Sequence, residues 1–239
     1  MANQYIAGCK AGLPVAIGYI PIAIAFGLLA KSFDISNYII LLMSLVVFAG
    51  ASQFIGVNLI VAGVSHWEVV ITTFIVNLRH LLMSASLSQR LPQQTPKKFL
   101  ALLSFGVTDE TFSLASTQRE RELNPQFVLA LNFIAFSSWN IGTWIGVFFA
   151  VGLPQSIQAS MGIALYSMFI GLLVPSLKQA GPIPYIVFIA ITVSSGLHWI
   201  APHFIQLSSG WNIIITTIIT AGIGALIFPA SEKVGDTNG

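Results

Sequence analysis

The chain has 239 residues, of which 55% are hydrophobic and only 8% charged, with a formal net charge of +2. A soluble domain carries about a quarter charged residues, so this composition excludes an ordinary globular protein and indicates a polytopic membrane protein. The charge excess is too small to argue for nucleic acid as a partner, and the one cysteine, Cys9, excludes an intrachain disulfide and a multi-cysteine metal site.

Eight hydrophobic helical segments are predicted, over residues 12–30, 38–62, 67–87, 98–116, 125–152, 158–175, 183–200 and 210–228. The fold class they imply is an all-α polytopic integral membrane protein. Tyr38, Trp67, Tyr185, Trp199 and Trp211 stand at segment ends, where the amphipathic rings prefer the membrane interface. No polar stretch is long enough for a separate soluble domain, so residues 1–239 read as one transmembrane domain. Within it, 12–87 and 98–175 are candidate repeat halves, followed by two C-terminal helices over 183–228. Lys10 leads directly into the first segment, without the layout of a signal peptide.

The first segment is interrupted at Gly18-Tyr19-Ile20-Pro21. A mid-helix proline removes one backbone hydrogen bond and crowds the turn before it, and in lipid the freed groups need protein or cavity water. A packed kink and a helix broken at Pro21 beside a binding site are both open. The second segment carries Phe48-Ala49-Gly50-Ala51-Ser52-Gln53-Phe54. Its small residues let another backbone approach closely, while Gln53 puts a donor and an acceptor at mid-depth, as a cavity-lining side chain would.

The third segment holds Val76-Asn77-Leu78-Arg79-His80. Asn77 and His80 are three apart and share a helical face, with Arg79 about 100° round from His80. An arginine near the bilayer centre costs roughly 3 kcal/mol on insertion scales, and an ionisable group kept there points to a transport path or a structural ion pair. The fourth segment turns polar at Thr108-Asp109-Glu110-Thr111, just after Gly106. The two adjacent carboxylates suit either a solvated helix end or a half-buried acidic site, in which one of them holds a proton. Asp109 or Glu110 is the expected partner of Arg79, since Glu68 lies about 16 Å along the same helix. The fifth segment contains Trp139-Asn140-Ile141-Gly142-Thr143-Trp144-Ile145-Gly146, with small-xxx-small spacing at Gly142 and Gly146. His198 and His203 read as interfacial.

Phe26-Gly27 in the first segment is echoed by Phe105-Gly106 in the fourth, and interrupted segments at matching places in two halves point to a transporter site. If all eight segments cross, Lys10, Arg119, Arg121, Lys178 and Lys233 face Lys31, Arg90, Lys97 and Lys98 across the membrane, which is no positive-inside bias. If the first and fourth segments dip in and return, all of these cations fall on one side. The re-entrant arrangement is therefore an explicit expectation, with Ile20-Pro21 and Gly106-Val107-Thr108 as neighbouring tips.

Phe26-Gly27-Leu28, the Phe48–Phe54 run, Val76-Asn77-Leu78-Arg79-His80 and Thr108-Asp109-Glu110-Thr111 come in an order that resembles the AzlC family, over roughly residues 5–228. These are the large subunits of bacterial branched-chain amino acid exporters. The resemblance implies a permease of the bacterial inner membrane that exports valine, leucine, isoleucine or, in some members, methionine. It also implies a small AzlD-type membrane subunit as partner, and glycines such as Gly142, Gly146, Gly162, Gly222 and Gly224 are candidates for that contact. The substrate is a zwitterion. Arg79 or half-helix N-termini suit its carboxylate, and Asp109, Glu110 or unwound carbonyls suit its ammonium. An acid or His80 suits proton coupling. No Walker A loop, metalloprotease motif or serine-protease motif occurs in the chain, so neither ATP use, a cofactor nor enzymatic activity is expected. A channel or membrane scaffold for another small solute is the alternative.

Overall fold

The computed structural model describes residues 2–120, 122–149, 181–199 and 207–229, with isolated positions between 154 and 178. Most of the sixth predicted segment (158–175), with Gly162, lies outside the described residues, as do Arg121, His203 and Lys233. Among the described residues all regular structure is helical, and four helices are long and apolar enough to cross a membrane. The chain divides into two compact units, one of residues 1–62 and 76–169, the other of 63–75 and 170–239.

The first unit is built on α1 (Ala2–Ser32) and α7 (Pro125–Phe149). Gly8 sits against Phe127 and Ala130, Gly12 against Leu131 and Ile134, Ala23 against Gly142, and Gly27 against Thr143, Gly146 and Val147. Both sequences advance together, so the helices run parallel. A methyl group at Gly27, Gly142 or Gly146 would meet backbone of the facing helix, which is the close approach that small residues allow. Gly142 and Gly146 thus make the close helix contact that their spacing suggests, against α1 of the same chain.

One correction concerns Pro21. α1 stays α-helical for 31 residues, through Pro14 and Pro21. One missing hydrogen bond is a small loss in so long a helix, and α7 packs against α1 on both sides of Pro21, through Ile20 and Ala23 on Gly142. The interrupted segments are the second and the fourth, not the first and the fourth.

The second segment begins as α2 (Asn37–Leu42), widens into a π-helical stretch (Met43–Val47), turns at Phe48 and Ala49, and leaves as α3 (Gly50–Val61). Phe48 makes the turn in the left-handed region at φ 43°. α7 serves as a ruler for its depth. Ser44 meets Thr143, Phe48 packs on Phe136, Gly50 abuts Trp139, and Phe54 then packs on Phe26, the residue before Gly27 at the level of Thr143. The chain enters from the C-terminal end of α7, reaches the level of Phe136 and turns back.

The fourth segment does the same from the other end. α5 (Lys97–Phe105) stops at Gly106, and α6 (Asp109–Ser116) starts after Thr108. Asn132 of α7 donates to the Leu103 carbonyl at 2.9 Å, and Phe105 packs on Phe136. The segment then returns to its origin. Arg90, before α5, donates to the carbonyls of Ala115, Ser116, Gln118 and Glu120 beyond the turn, and its own carbonyl accepts from Leu123 N–H at 2.7 Å. Arms of 9 and 8 residues rise only about 13 and 12 Å, less than half of a ~30 Å hydrocarbon core. The two tips touch where Phe48 and Phe105 lie 6.2 Å apart by ring centroid, both against Phe136.

This arrangement replaces the all-on-one-side charge count. Lys10, Arg90, Lys97, Lys98 and Arg119 belong to the end where α7 begins, and Lys31 belongs to the other, where it donates to Asn37.

In the second unit α8 (Ile183–Trp199) and α9 (Ser209–Ile227) pair antiparallel. Gly224 sits on Ile186, and Tyr185 lies against Phe228. α4 (His66–Ser88) gives its residues up to 75 to this unit and its remainder to the first.

Candidate functional site

The site grows from the tip of the fourth segment. Gly106 ends α5, and a Cβ there would fall within 2.6–2.9 Å of the Asn132 side chain, so glycine lets the tip reach α7. Thr108 then caps α6 reciprocally with Thr111. Thr108 Oγ1 accepts from Thr111 N–H, and Thr111 Oγ1 accepts from Thr108 N–H at 2.8 Å. This capping box aims the first turn of α6, with Asp109 and Glu110, at mid-depth. Carboxylates are stabilised at that end of a helix by its dipole.

Successive residues of a helix point about 100° apart, and the two acids part accordingly. Asp109 Oδ2 pairs with Arg79 Nη1 of α4 at 2.5 Å. Glu110 Oε2 accepts from the hydroxyl of Tyr19 on α1, which also lies 2.7 Å from Thr108 Oγ1. His80 stands against the backbone of Val107. Three elements, α1, α4 and the fourth-segment tip, therefore meet on the two acids.

The cluster is not closed. Arg79 and Asp109 keep 34% and 29% of their side-chain surface exposed, while Arg79 Nε, His80 Nε2 and Asn77 Oδ1 are buried with no hydrogen-bond partner among the described residues. Buried polar groups are ordinarily satisfied. A guanidinium with a spare donor, a spare imidazole nitrogen and a spare amide oxygen beside an ion pair form a set that can hold both ends of a small zwitterion.

Gln53 behaves differently, and its expected cavity-lining role is corrected. It is fully buried, donates to Ser44 at 3.0 Å and accepts from Trp139 Nε1 at 3.0 Å. Ser44 bonds Thr143, which bonds the Trp139 carbonyl. The reason is the break itself, which leaves Ser44 beside Gln53 and draws the amide inward. Pro21 likewise takes no part as a helix break, although its neighbour Tyr19 does join the cluster.

Tyr19, Asn132 and Arg90 are site-building residues to which the sequence gave no role, whereas Thr108 was named at the tip. The available signal was a phenol or an amide inside an apolar run, the same signal that marked Asn77. Arg90 gave none, because its partners are carbonyls far along the chain.

A family model described as AzlC protein matches residues 14–153. The inner membrane protein YgaZ of Escherichia coli is 35% identical over 181 residues, covering 73% of this chain and 74% of that protein. An uncharacterized membrane protein of Archaeoglobus fulgidus is 30% identical over 204 residues, covering 84% and 86%. The branched-chain amino acid transport protein AzlC of Bacillus subtilis is 31% identical over 105 residues, covering 44% and 41%. No solved structure matches the chain.

Proposed function

This chain belongs to the AzlC family, and on that premise we propose that it is the large subunit of a two-component secondary transporter. It exports branched-chain amino acids (valine, leucine, isoleucine, with methionine as a further substrate) across the bacterial inner membrane. It is not an enzyme and uses no cofactor. Its partner is a small AzlD-type subunit.

The observation that carries the reading is the Arg79–Asp109 pair, about one-third exposed and ringed by unpartnered polar atoms at the tip of a re-entrant hairpin. Irregular backbone at membrane depth is tolerated where it lines a cavity, and in transporters it forms the substrate site. A zwitterion carries its own carboxylate and ammonium. On entry its carboxylate takes the place of Asp109 on Arg79, and its ammonium takes the place of Arg79 on Asp109. Two ion pairs then stand where one stood, with no uncompensated charge. Glu110, held by Tyr19, is a second acid for the ammonium, and His80 or a carboxylate carries the coupled proton. The aliphatic side chain needs only apolar surface, which every segment supplies.

The positive-inside rule supports placing the end with Lys10, Arg90, Lys97, Lys98 and Arg119 in the cytoplasm, opposite Lys31. The test is flux in proteoliposomes holding this chain with and without the small subunit. Valine, leucine, isoleucine and methionine are offered with and without a proton gradient. Saturable, gradient-dependent flux that needs the partner is expected. Non-saturable leak would favour a channel, and full-rate transport by this chain alone would remove the partner requirement.

A further inference from the structure

The second unit holds a buried acid that the reading above does not use. Glu68 is 8% exposed. One of its oxygens, Oε1, accepts from the hydroxyl of Ser208, which caps α9 by accepting from Trp211 N–H. Its other oxygen, Oε2, makes no hydrogen bond among the described residues. One turn further along α4, on the same face, Thr72 is fully buried with Oγ1 unpartnered. Both side chains converge on Gly210. A Cβ built there would lie 2.8 Å from Glu68 Cγ and 2.9 Å from Thr72 Oγ1.

Three more oxygens continue the pattern along α9. Asn212 Oδ1, Thr216 Oγ1 and Thr220 Oγ1 are buried and unpartnered. They recur every four residues and so share one face, spanning about 12 Å. Buried hydroxyls and amides are nearly always bonded, so a file of them beginning at a carboxylate calls for something to bind.

We propose that Glu68, Thr72 and Ser208 form a binding site for a small monovalent cation of the sodium class, with Asn212, Thr216 and Thr220 lining its approach. The donors are all oxygen, as hard cations require. A single carboxylate balances one positive charge, and a divalent ion would draw on more. Negative charge is favoured beside the N-terminus of a helix such as α9, and the free Oε2 is available for the ion. Glycine at 210 leaves the space that a methyl group would fill. The purpose of such a site, ion coupling, rests on the transporter reading, but its existence does not.

The experiment reads binding without flux. Thermal unfolding of the purified full-length protein is followed in sodium chloride, potassium chloride and choline chloride at equal ionic strength. Sodium is expected to raise Tm above the other two by mass action on the native state. Glu68→Gln and Gly210→Ala should abolish that rise. Thr72→Val, which keeps shape and removes one ligand, should weaken the apparent sodium affinity roughly tenfold or more while folding normally in choline. The proposal is overturned by the absence of a sodium-specific rise, by a rise that survives both Gly210→Ala and Thr72→Val, or by stabilisation that follows pH alone. A failure here leaves amino-acid flux untouched, and sodium binding in a protein without flux would sink the transporter reading but not the site.

Discussion

The two hairpin tips use the same device and end in opposite chemistry. At the second-segment tip, Ser44, Gln53, Trp139 and Thr143 satisfy one another in a buried, closed network. At the fourth-segment tip, an ion pair stands partly open beside Arg79 Nε, His80 Nε2 and Asn77 Oδ1, none of them satisfied. Breaking a helix inside a membrane frees backbone groups and demands compensation. One tip turns its polar side chains on one another. The other satisfies its helix end with its own capping box, and its acids reach Arg79 and Tyr19 on other helices.

The sharpest way to break this contrast is Arg79→Lys. A lysine keeps the charge but cannot reproduce the planar fork of the guanidinium on a carboxylate. The variant should assemble normally and lose transport about a hundredfold, the scale of a misplaced binding group. Unchanged affinity, rate and pH dependence in a well-assembled variant would remove Arg79 from the site. Gln53→Ala should do the reverse. It leaves Trp139 Nε1 without an acceptor and Ser44 with Thr143 alone, and should cost about 2 kcal/mol of stability, measured by chemical unfolding in detergent, while the protein that remains folded transports at nearly the normal rate.

Smaller effects sharpen the comparison. Phe48 turns the second tip at φ 43°, a conformation that costs a residue with Cβ about 1 kcal/mol. Phe48→Gly should therefore be more stable than Phe48→Ala by about that amount, although both lose the ring. Equal stabilities would show that the turn relaxes without it. The smallest change is expected from Tyr19→Phe, which removes the hydroxyl from Glu110 and Thr108. Stability should fall by less than about 1 kcal/mol, and flux should drop severalfold as Glu110 loses its orientation. A variant with normal flux would make Glu110 a bystander.

Composition and local pattern determined a good deal by themselves. Apolar runs dictated helices and a membrane. An arginine in one such run demanded an acid, and few acids were within reach, so Asp109 and Glu110 could be named against Arg79 from the sequence. Gly106 followed by Thr-Asp-Glu-Thr marked a helix end, because capping and glycine effects act over a single turn. What only the tertiary structure decided involves groups far apart in sequence. Pro21 is the strongest local breaker in the chain, yet α1 runs through it because α7 holds both flanking turns. The second segment breaks at Phe48 with no proline at all, because Thr143 and Trp139 satisfy its Ser44 and Gln53. Which acid takes the arginine and which takes Tyr19 depends on where α1 and α4 lie around the tip. Such outcomes follow from which groups packing brings within hydrogen-bonding distance, and spacing along a single helix carries no record of its neighbours.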